Sequence, residues 1–255
     1  FGGTLLQAVP ETLVVTADLP GLETLKHING LAPAAVEVMP LEKWSDALAI
    51  YLELKKATQQ FKALIVDNAN FAQGIQKDAI RSKPRGQEYK EAQADPERFQ
   101  LALLHQRIMG KRELQGFKEW GELAGFEAWL LACRALPFQF QVWTFHEQAR
   151  EDARSGKDHF FAMVDGYIRN TLGAHFPLIG ELFKEELEGK VYFCLSTMPR
   201  PSNEARSNYG EGRLWVNPTA KEVLLYISDP QKYRKMTDIE QALAAKIIAA
   251  RKKEA

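Results

Sequence analysis

The chain is poor in cysteine, with only Cys133 and Cys194 among its 255 residues. The two lie too far apart to form a metal-ligand pair. Each sits in apolar surroundings, LLACRAL and VYFCLS, which points to buried reduced thiols and suits a reducing cytosol. No run of about eighteen apolar residues occurs, so no membrane span is expected, and no signal-peptide pattern is visible. A cytoplasmic protein with no membrane partner is the expectation. Net charge is also missing: 33 Lys and Arg balance 33 Asp and Glu. No whole-chain field therefore draws the protein to nucleic acid, and any DNA binding must come from local patches. His27, His105, His159 and His175 share no ligand spacing, so no zinc site is expected. Internal repeats and low-complexity tracts are absent too.

What is present is the composition of an ordinary globule, 45% hydrophobic and 26% charged, long enough for one large α/β domain with appendages. Its most informative stretch is Phe61 to Asn70, FKALIVDNAN. Ala63, Leu64, Ile65 and Val66 form the short apolar run of a strand buried on both faces, as in parallel sheets. Asp67 stands at its carboxyl end, where ligands bind in open α/β sheets. A carboxylate there suits Mg²⁺ held through water; equally, it suits a cap on the following turn.

Around this stretch the order of elements argues for a parallel sheet. Thr12 to Ala17 (TLVVTA) is a β-branched strand candidate, broken by Asp18-Leu-Pro-Gly21, with a short helix over Leu22 to Ile28. Ala35 to Met39 alternates like a strand that Pro40 stops, and Trp44, Leu48, Tyr51 and Leu52 recur at helical spacing over 43–58. Strand, helix, strand is a βαβ crossover. Residues 74–118 are a polar excursion with helical pieces. They are read as a solvated insertion or as a nucleic-acid or subunit contact through Lys77, Arg81, Lys83, Arg85, Arg107, Lys111 and Arg112.

An amphipathic helix follows over Trp120 to Leu136, with Leu123, Phe126, Leu130 and Leu131 on one face. Gln139 to Phe145 is then a strand with Thr144 and His146 at its end, and EDARSGKDH an exposed loop. Val191 to Ser196 and Arg213 to Val216 are further strands, Val223 to Ile227 an edge strand, and Met236 to Lys253 a final helix with Ile239, Leu243, Ile247 and Ile248 on one side. Trp44, Trp120, Trp129 and Trp143 lie in apolar patterns and are assigned to the core. Tyr209 and Trp215, near Arg206 and Arg213, are the better candidates for stacking on bases.

A parallel sheet would bring Asp18, Asp67, Thr144 and His146 to one edge. Ahead of the first strand stands Gly2-Gly3-Thr4-Leu5-Leu6, a glycine-rich turn opening a helix and suited to phosphate. GGTLLQAVPETLVVTADLPGLETL, then VEVMPLEKW, FKALIVDNAN, FKEWGEL and ALPFQFQVWTFHEQAREDARSG together resemble the phage nucleotide-binding proteins of the AAA/RecA-like class, which include the single-strand-annealing ATPases of the Sak type. HFPLIGELFKEEL, VYFCLS and GRLWVNPTAKE are similar to that family's later strands and loops.

The resemblance implies an α/β fold of the RecA-like P-loop NTPase kind over residues 1–228, a mostly parallel sheet flanked by helices, with a helical tail over 229–255. It implies ATP and Mg²⁺ as ligands, single-stranded DNA as a partner and a homo-oligomer. Gly2, Gly3 and Thr4 would hold phosphate, Thr4 and Asp67 the metal, Asp18 the attacking water, and Thr144 and His146 would sense the terminal phosphate. Lys221 is either a charge supplied across a subunit interface or a solvated lysine.

The chain departs from the family at the P-loop, where Gly2-Gly3-Thr4 replaces Gly-Lys-Thr. The absent lysine is the group that neutralises the β- and γ-phosphates. The implied first strand is also not in the sequence, so residues ahead of Phe1 are expected to supply it. A P-loop scaffold without ATP hydrolysis is the alternative that this departure favours.

Overall fold

Four short segments, TLVVT, EVMP, ALIVD and FQVW, pair side by side, all in parallel. They are β1 (Thr12–Thr16), β2 (Glu37–Pro40), β3 (Ala63–Asp67) and β4 (Phe140–Trp143), arranged in the order β2-β1-β3-β4. The structure is a computed structural model describing residues 2–18, 37–109, 113–114, 116–151, 158–165, 168–198, 205–209 and 212–254. The helix expected over Leu22 to Ile28 lies outside the described residues. Pro40 belongs to β2 rather than ending the strand before it. Proline is tolerated there because β2 is an edge strand.

Helices cover both faces of this sheet, which is why the middles of β1 and β3, Leu13–Val15 and Ala63–Val66, are apolar. On one face Leu5, Leu6 and Val9, from and just after α1 (Gly2–Ala8), pack with Val14, Ala63 and Ile65. On the other face Leu13, Val15, Leu64 and Val66 meet α2 (Ala47–Ala57), α3 (Ala69–Arg81) and the later helix α7. A short 3₁₀ turn, Trp44–Asp46, precedes α2. Between α3 and α7 run α4 (Glu88–Ala94), α5 (Pro96–Ile108) and α6 (Gly116–Glu122), so the stretch read as a polar excursion is largely helical and buries Phe99 and Leu103.

The amphipathic helix expected over 120–136 is two helices, α6 and α7 (Ala124–Arg134), separated at Leu123. Trp120 lies on the far side of that break and is 49% exposed, so it is not a core residue. Trp129 and its neighbours Trp44 and Trp143 are packed together, with ring centroids 6.2 and 6.1 Å from Trp129. The Trp129 indole N–H donates to the Ala47 carbonyl at 3.0 Å.

After β4 the chain forms an antiparallel hairpin, β5 (Glu147–Glu151) with β6 (Asp158–Ala162). The ends of the expected exposed loop, Glu151, Asp158 and His159, therefore belong to strands, because backbone pairing makes no demand for apolar side chains; residues 152–157 lie outside the described residues. A short helix, α8 (Ile168–Thr171), leads to β7 (Leu178–Ile179), which pairs with β10 (Arg206–Ser207). β8 (Glu181–Leu187), β9 (Lys190–Ser196) and β11 (Leu214–Val216) form a second, antiparallel sheet in the order β11-β9-β8.

The segment expected as an edge strand at Val223 to Ile227 lies in a helix, α9 (Ala220–Ser228). A short apolar run does not distinguish a strand from a helix buried on two sides, and α9 is buried on two sides. Ala220 and Leu224 join α1 against the parallel sheet, while Val223 and Tyr226 pack on Leu195 and Trp215 of the second sheet. The overlooked signal is Thr219-x-x-Glu222, a complete capping box.

The last helix, α10 (Asp238–Glu254), buries Leu243, Ala244 and Ile247 against the second sheet, leaving Ile239 and Ile248 45% and 44% exposed. At 3.6 residues per turn those two sit about 90° from the centre of the buried stripe, which corrects the single apolar face expected for this helix. Its attachment is polar as well. Arg213 donates two hydrogen bonds to Glu240, at 2.9 and 3.0 Å, and the Arg213 guanidinium lies 4.8 Å from the Trp215 ring centre. Trp215 is only 2% exposed, so it is a core residue and not a platform for bases.

Removing one partner of a buried ion pair strands the other charge. Glu240→Ala is therefore expected to destabilise the protein by about 3–5 kcal/mol in urea unfolding, whereas surface Lys56→Ala should change it by less than about 1 kcal/mol. Cys133 and Cys194 are free and buried, and burial pushes the Cys133 thiol up to about 12. Neither is expected to react with a thiol reagent in the native protein near neutral pH, and both should react once guanidinium unfolds it. Rapid modification of the native protein would contradict this packing.

Candidate functional site

Because β1, β3 and β4 run in parallel, their carboxyl ends share one edge of the sheet. Thr16 is the register partner of Asp67, and Val66 that of Trp143. Asp18, Asp67 and Thr144, expected at one edge, are joined there in a single chain of hydrogen bonds. The Thr144 hydroxyl donates to Asp67 Oδ1 at 2.7 Å, and the Asn68 backbone N–H donates to Thr144 Oγ1 at 2.8 Å. The Asn68 side-chain amide then donates to Asp18 Oδ2 at 2.8 Å. Asp18 is tied to its own strand by its backbone N–H, which donates to Thr16 Oγ1 at 3.0 Å.

Asn68 holds this arrangement together and was not among the residues singled out from sequence. It has φ 52° and ψ 51°, the left-handed region that asparagine tolerates better than most residues. That one conformation turns the chain from β3 into α3. It aims the Asn68 N–H at β4 and the Asn68 side chain at β1, so the turn residue links three strands. The available signal was an Asn directly after a strand-ending Asp, where turn chemistry favours exactly such residues.

The first turns of α3 continue the attachment. Ala69 N–H donates to the Thr144 carbonyl at 2.9 Å, and His146 N–H donates to Asn70 Oδ1 at 2.9 Å. Gln73 exchanges two hydrogen bonds with the Asp165 backbone, at 2.8 and 2.7 Å, and Lys77 pairs with the Asp165 carboxylate. Asn70, Gln73 and Gln76 are nearly fully buried. Asn70 and Gln73 are thus spent on fixing the roots of the β5–β6 hairpin, which offsets the cost of burying them, while the Gln76 amide donates to the Glu122 carbonyl at 2.7 Å. His146 is exposed, and its ring lies against Phe71, with centroids 5.2 Å apart.

Gly2, Gly3 and Thr4 form the first turn of α1, and the Thr4 side chain lies outside the described residues. Of the cations considered for nucleic-acid contact, Lys77, Arg81, Lys83 and Arg85 are each paired with carboxylates, of Asp165, Glu113, Glu122 and Glu119 respectively. Those four are committed to internal pairs rather than to phosphate. Lys111 and Arg112 lie outside the described residues, as does the Arg107 side chain. Lys221 lies in the first turn of α9 and is exposed.

Chemically, the edge offers one oriented carboxylate with a second close by. Asp67 Oδ2 has no hydrogen-bond partner among the described residues, while Oδ1 is held by Thr144. Among the described residues no three His, Cys, Asp or Glu side chains come together as a metal cage. Fold and site together define a mixed α/β protein with a central parallel sheet and a polar carboxyl edge. No protein-family profile matches the sequence, and no curated protein matches it significantly.

Thr144→Val removes the donor to Asp67 and leaves the Asn68 N–H without its acceptor. It is expected to cost about 1–3 kcal/mol in urea unfolding, and Thr144→Ser should recover most of it. A loss in Thr144→Ser with none in Thr144→Val would show that the methyl packing, not the hydroxyl, matters.

Proposed function

We propose that the carboxyl edge of the parallel sheet binds ATP with Mg²⁺ in a RecA-like P-loop arrangement, and that the protein acts on single-stranded DNA in recombination or annealing as a homo-oligomer. The observation carrying the nucleotide part is Asp67: a carboxylate at the end of a central buried strand, oriented through one oxygen by Thr144 and with the other unbonded among the described residues. Mg²⁺ typically keeps several waters and takes one or two carboxylates plus substrate phosphates, not an all-protein cage. A site with a single oriented carboxylate fits that habit. Thr4 would be the second protein ligand, and Gly2 and Gly3 would supply backbone N–H groups to phosphate. When bound, the metal would offset phosphate charge; Asp18, held by Asn68, would orient a water.

The DNA and oligomer parts rest on the resemblance of GGTLLQAVPETLVVTADLPGLETL, FKALIVDNAN and the segments after them to the phage proteins. Among the described residues no helix is long and apolar enough to cross a membrane.

A second reading, a nucleotide-binding scaffold without hydrolysis, is favoured by two observations. Gly3 stands where the phosphate-neutralising lysine would be, and Asp18 Oδ2 is engaged by Asn68. The first reading predicts binding with turnover, and this one, a P-loop-fold scaffold or assembly protein, predicts no turnover.

Titration of labelled ATP with Mg²⁺ is expected to show saturable binding that Asp67→Ala weakens about tenfold or more, a loss of roughly 1.4 kcal/mol. Absence of binding to the unaltered protein overturns the proposal. Phosphate release on adding single-stranded DNA supports the ATPase, and binding without release supports the scaffold.

A further inference from the structure

α3 is inside out in its first turn. Asn70 is 6% exposed and Gln73 2%, yet Phe71 between them is 37% exposed. Asparagine and glutamine usually face water and phenylalanine the core. The burial of Asn70 and Gln73 is explained by their bonds to His146 and Asp165. Among the described residues Phe71 has one ring contact, the tilted pairing with the exposed ring of His146 at 48°.

We infer that Phe71 and His146 form a stacking platform for a nucleobase beside the Asp67 carboxylate. This rests on the nucleotide-binding reading, adds the part of the ligand that the carboxylate does not contact, and gives His146 to the base in place of the terminal-phosphate role that the resemblance implied. The backbone beneath both rings is anchored by hydrogen bonds: Phe71 N–H donates to the Asn68 carbonyl at 2.8 Å, and His146 N–H to Asn70 Oδ1. The His146 carbonyl accepts from Met163 N–H at 2.6 Å. The backbone carrying the aromatic surface is therefore positioned before ligand arrives, and the two rings already touch each other, which lowers the cost of binding. At a 48° tilt the two rings do not close flat on each other, and a planar heterocycle can pack on their outer surface. Base–aromatic stacking tolerates any base because each presents a π-face, so the platform is expected to favour nucleotides over bare polyphosphate without strong choice among bases. Phe71 follows the Asp67–Asn68 turn and donates its N–H to Asn68, and His146 lies two residues beyond Thr144, which bonds Asp67 directly. Platform and carboxylate thus lie on the same edge of the parallel sheet, on segments joined by these hydrogen bonds.

The test is calorimetric titration of the full chain with Mg-ATP, Mg-tripolyphosphate and adenosine, for the unaltered protein, Phe71→Ala and Phe71→Trp. Phe71→Ala is expected to weaken Mg-ATP about tenfold while leaving Mg-tripolyphosphate unchanged, and Phe71→Trp to retain the affinity. Equal ATP affinity in Phe71→Ala and the unaltered protein overturns the platform, as does an equal loss for ATP and tripolyphosphate. If neither phosphate ligand binds the unaltered protein, the nucleotide reading fails. Adenosine then decides the platform separately: binding lost in Phe71→Ala supports it, and no adenosine binding overturns it.

Discussion

Parallel pairing of β3 between β1 and β4 is the constraint on which the rest depends. Parallel strands present their carboxyl ends on the same side, so residues far apart in sequence meet: Asp18 lies 50 positions from Asn68, and Thr144 77 from Asp67. Parallel strands also require crossovers packed on the sheet. α2, between β2 and β3, and α3 and α7, between β3 and β4, meet that requirement on one face; α1 and α9 cover the other face, and burial on both faces explains the apolar middles of β1 and β3.

The polar chemistry of the edge is subordinate to this backbone arrangement and also reinforces it. Asn68 uses a left-handed turn to bond two neighbouring strands, and α3 spends Asn70, Gln73 and Lys77 on the strand exit and the hairpin root. In a region where buried polar groups are expensive unless satisfied, these bonds fix β4 and the hairpin in one position relative to Asp67. The second sheet is attached by other means. α9 supplies one apolar face to each sheet, and the Arg213–Glu240 pair fastens α10. Burial of α9 on two sides makes it the structural joint between the two halves of the fold.

Several elements were legible because their signal is local. FKALIVDNAN carries the unbroken apolar run of a two-faced strand, and TLVVT its β-branched neighbour, so the parallel sheet and the gathering of Asp18, Asp67 and Thr144 at its edge could be anticipated. The two buried thiols were legible from their apolar flanks. Val223 to Ile227 was misread because period alone does not separate a short buried helix from a strand, although the Thr219–Glu222 box marked a helix start. Trp120 and Trp215 were misplaced for a related reason: exposure depends on where a helix breaks and on what packs opposite, which neither residue's neighbours in sequence reveal.

By itself the sequence determined the α/β class, the strand ends that carry polar groups, and the absence of lysine from Gly2-Gly3-Thr4, since these follow from local hydrophobic pattern and residue identity. Only the tertiary structure decided which polar groups touch. Asn68 became the link between Asp18 and Thr144 through a single backbone angle, the cations of 77–85 became internal ion pairs, and Phe71 became exposed while its polar neighbours were buried. Each of these depends on contacts between residues distant along the chain, and a pattern of adjacent residues carries no information about such contacts until the sheet brings them together.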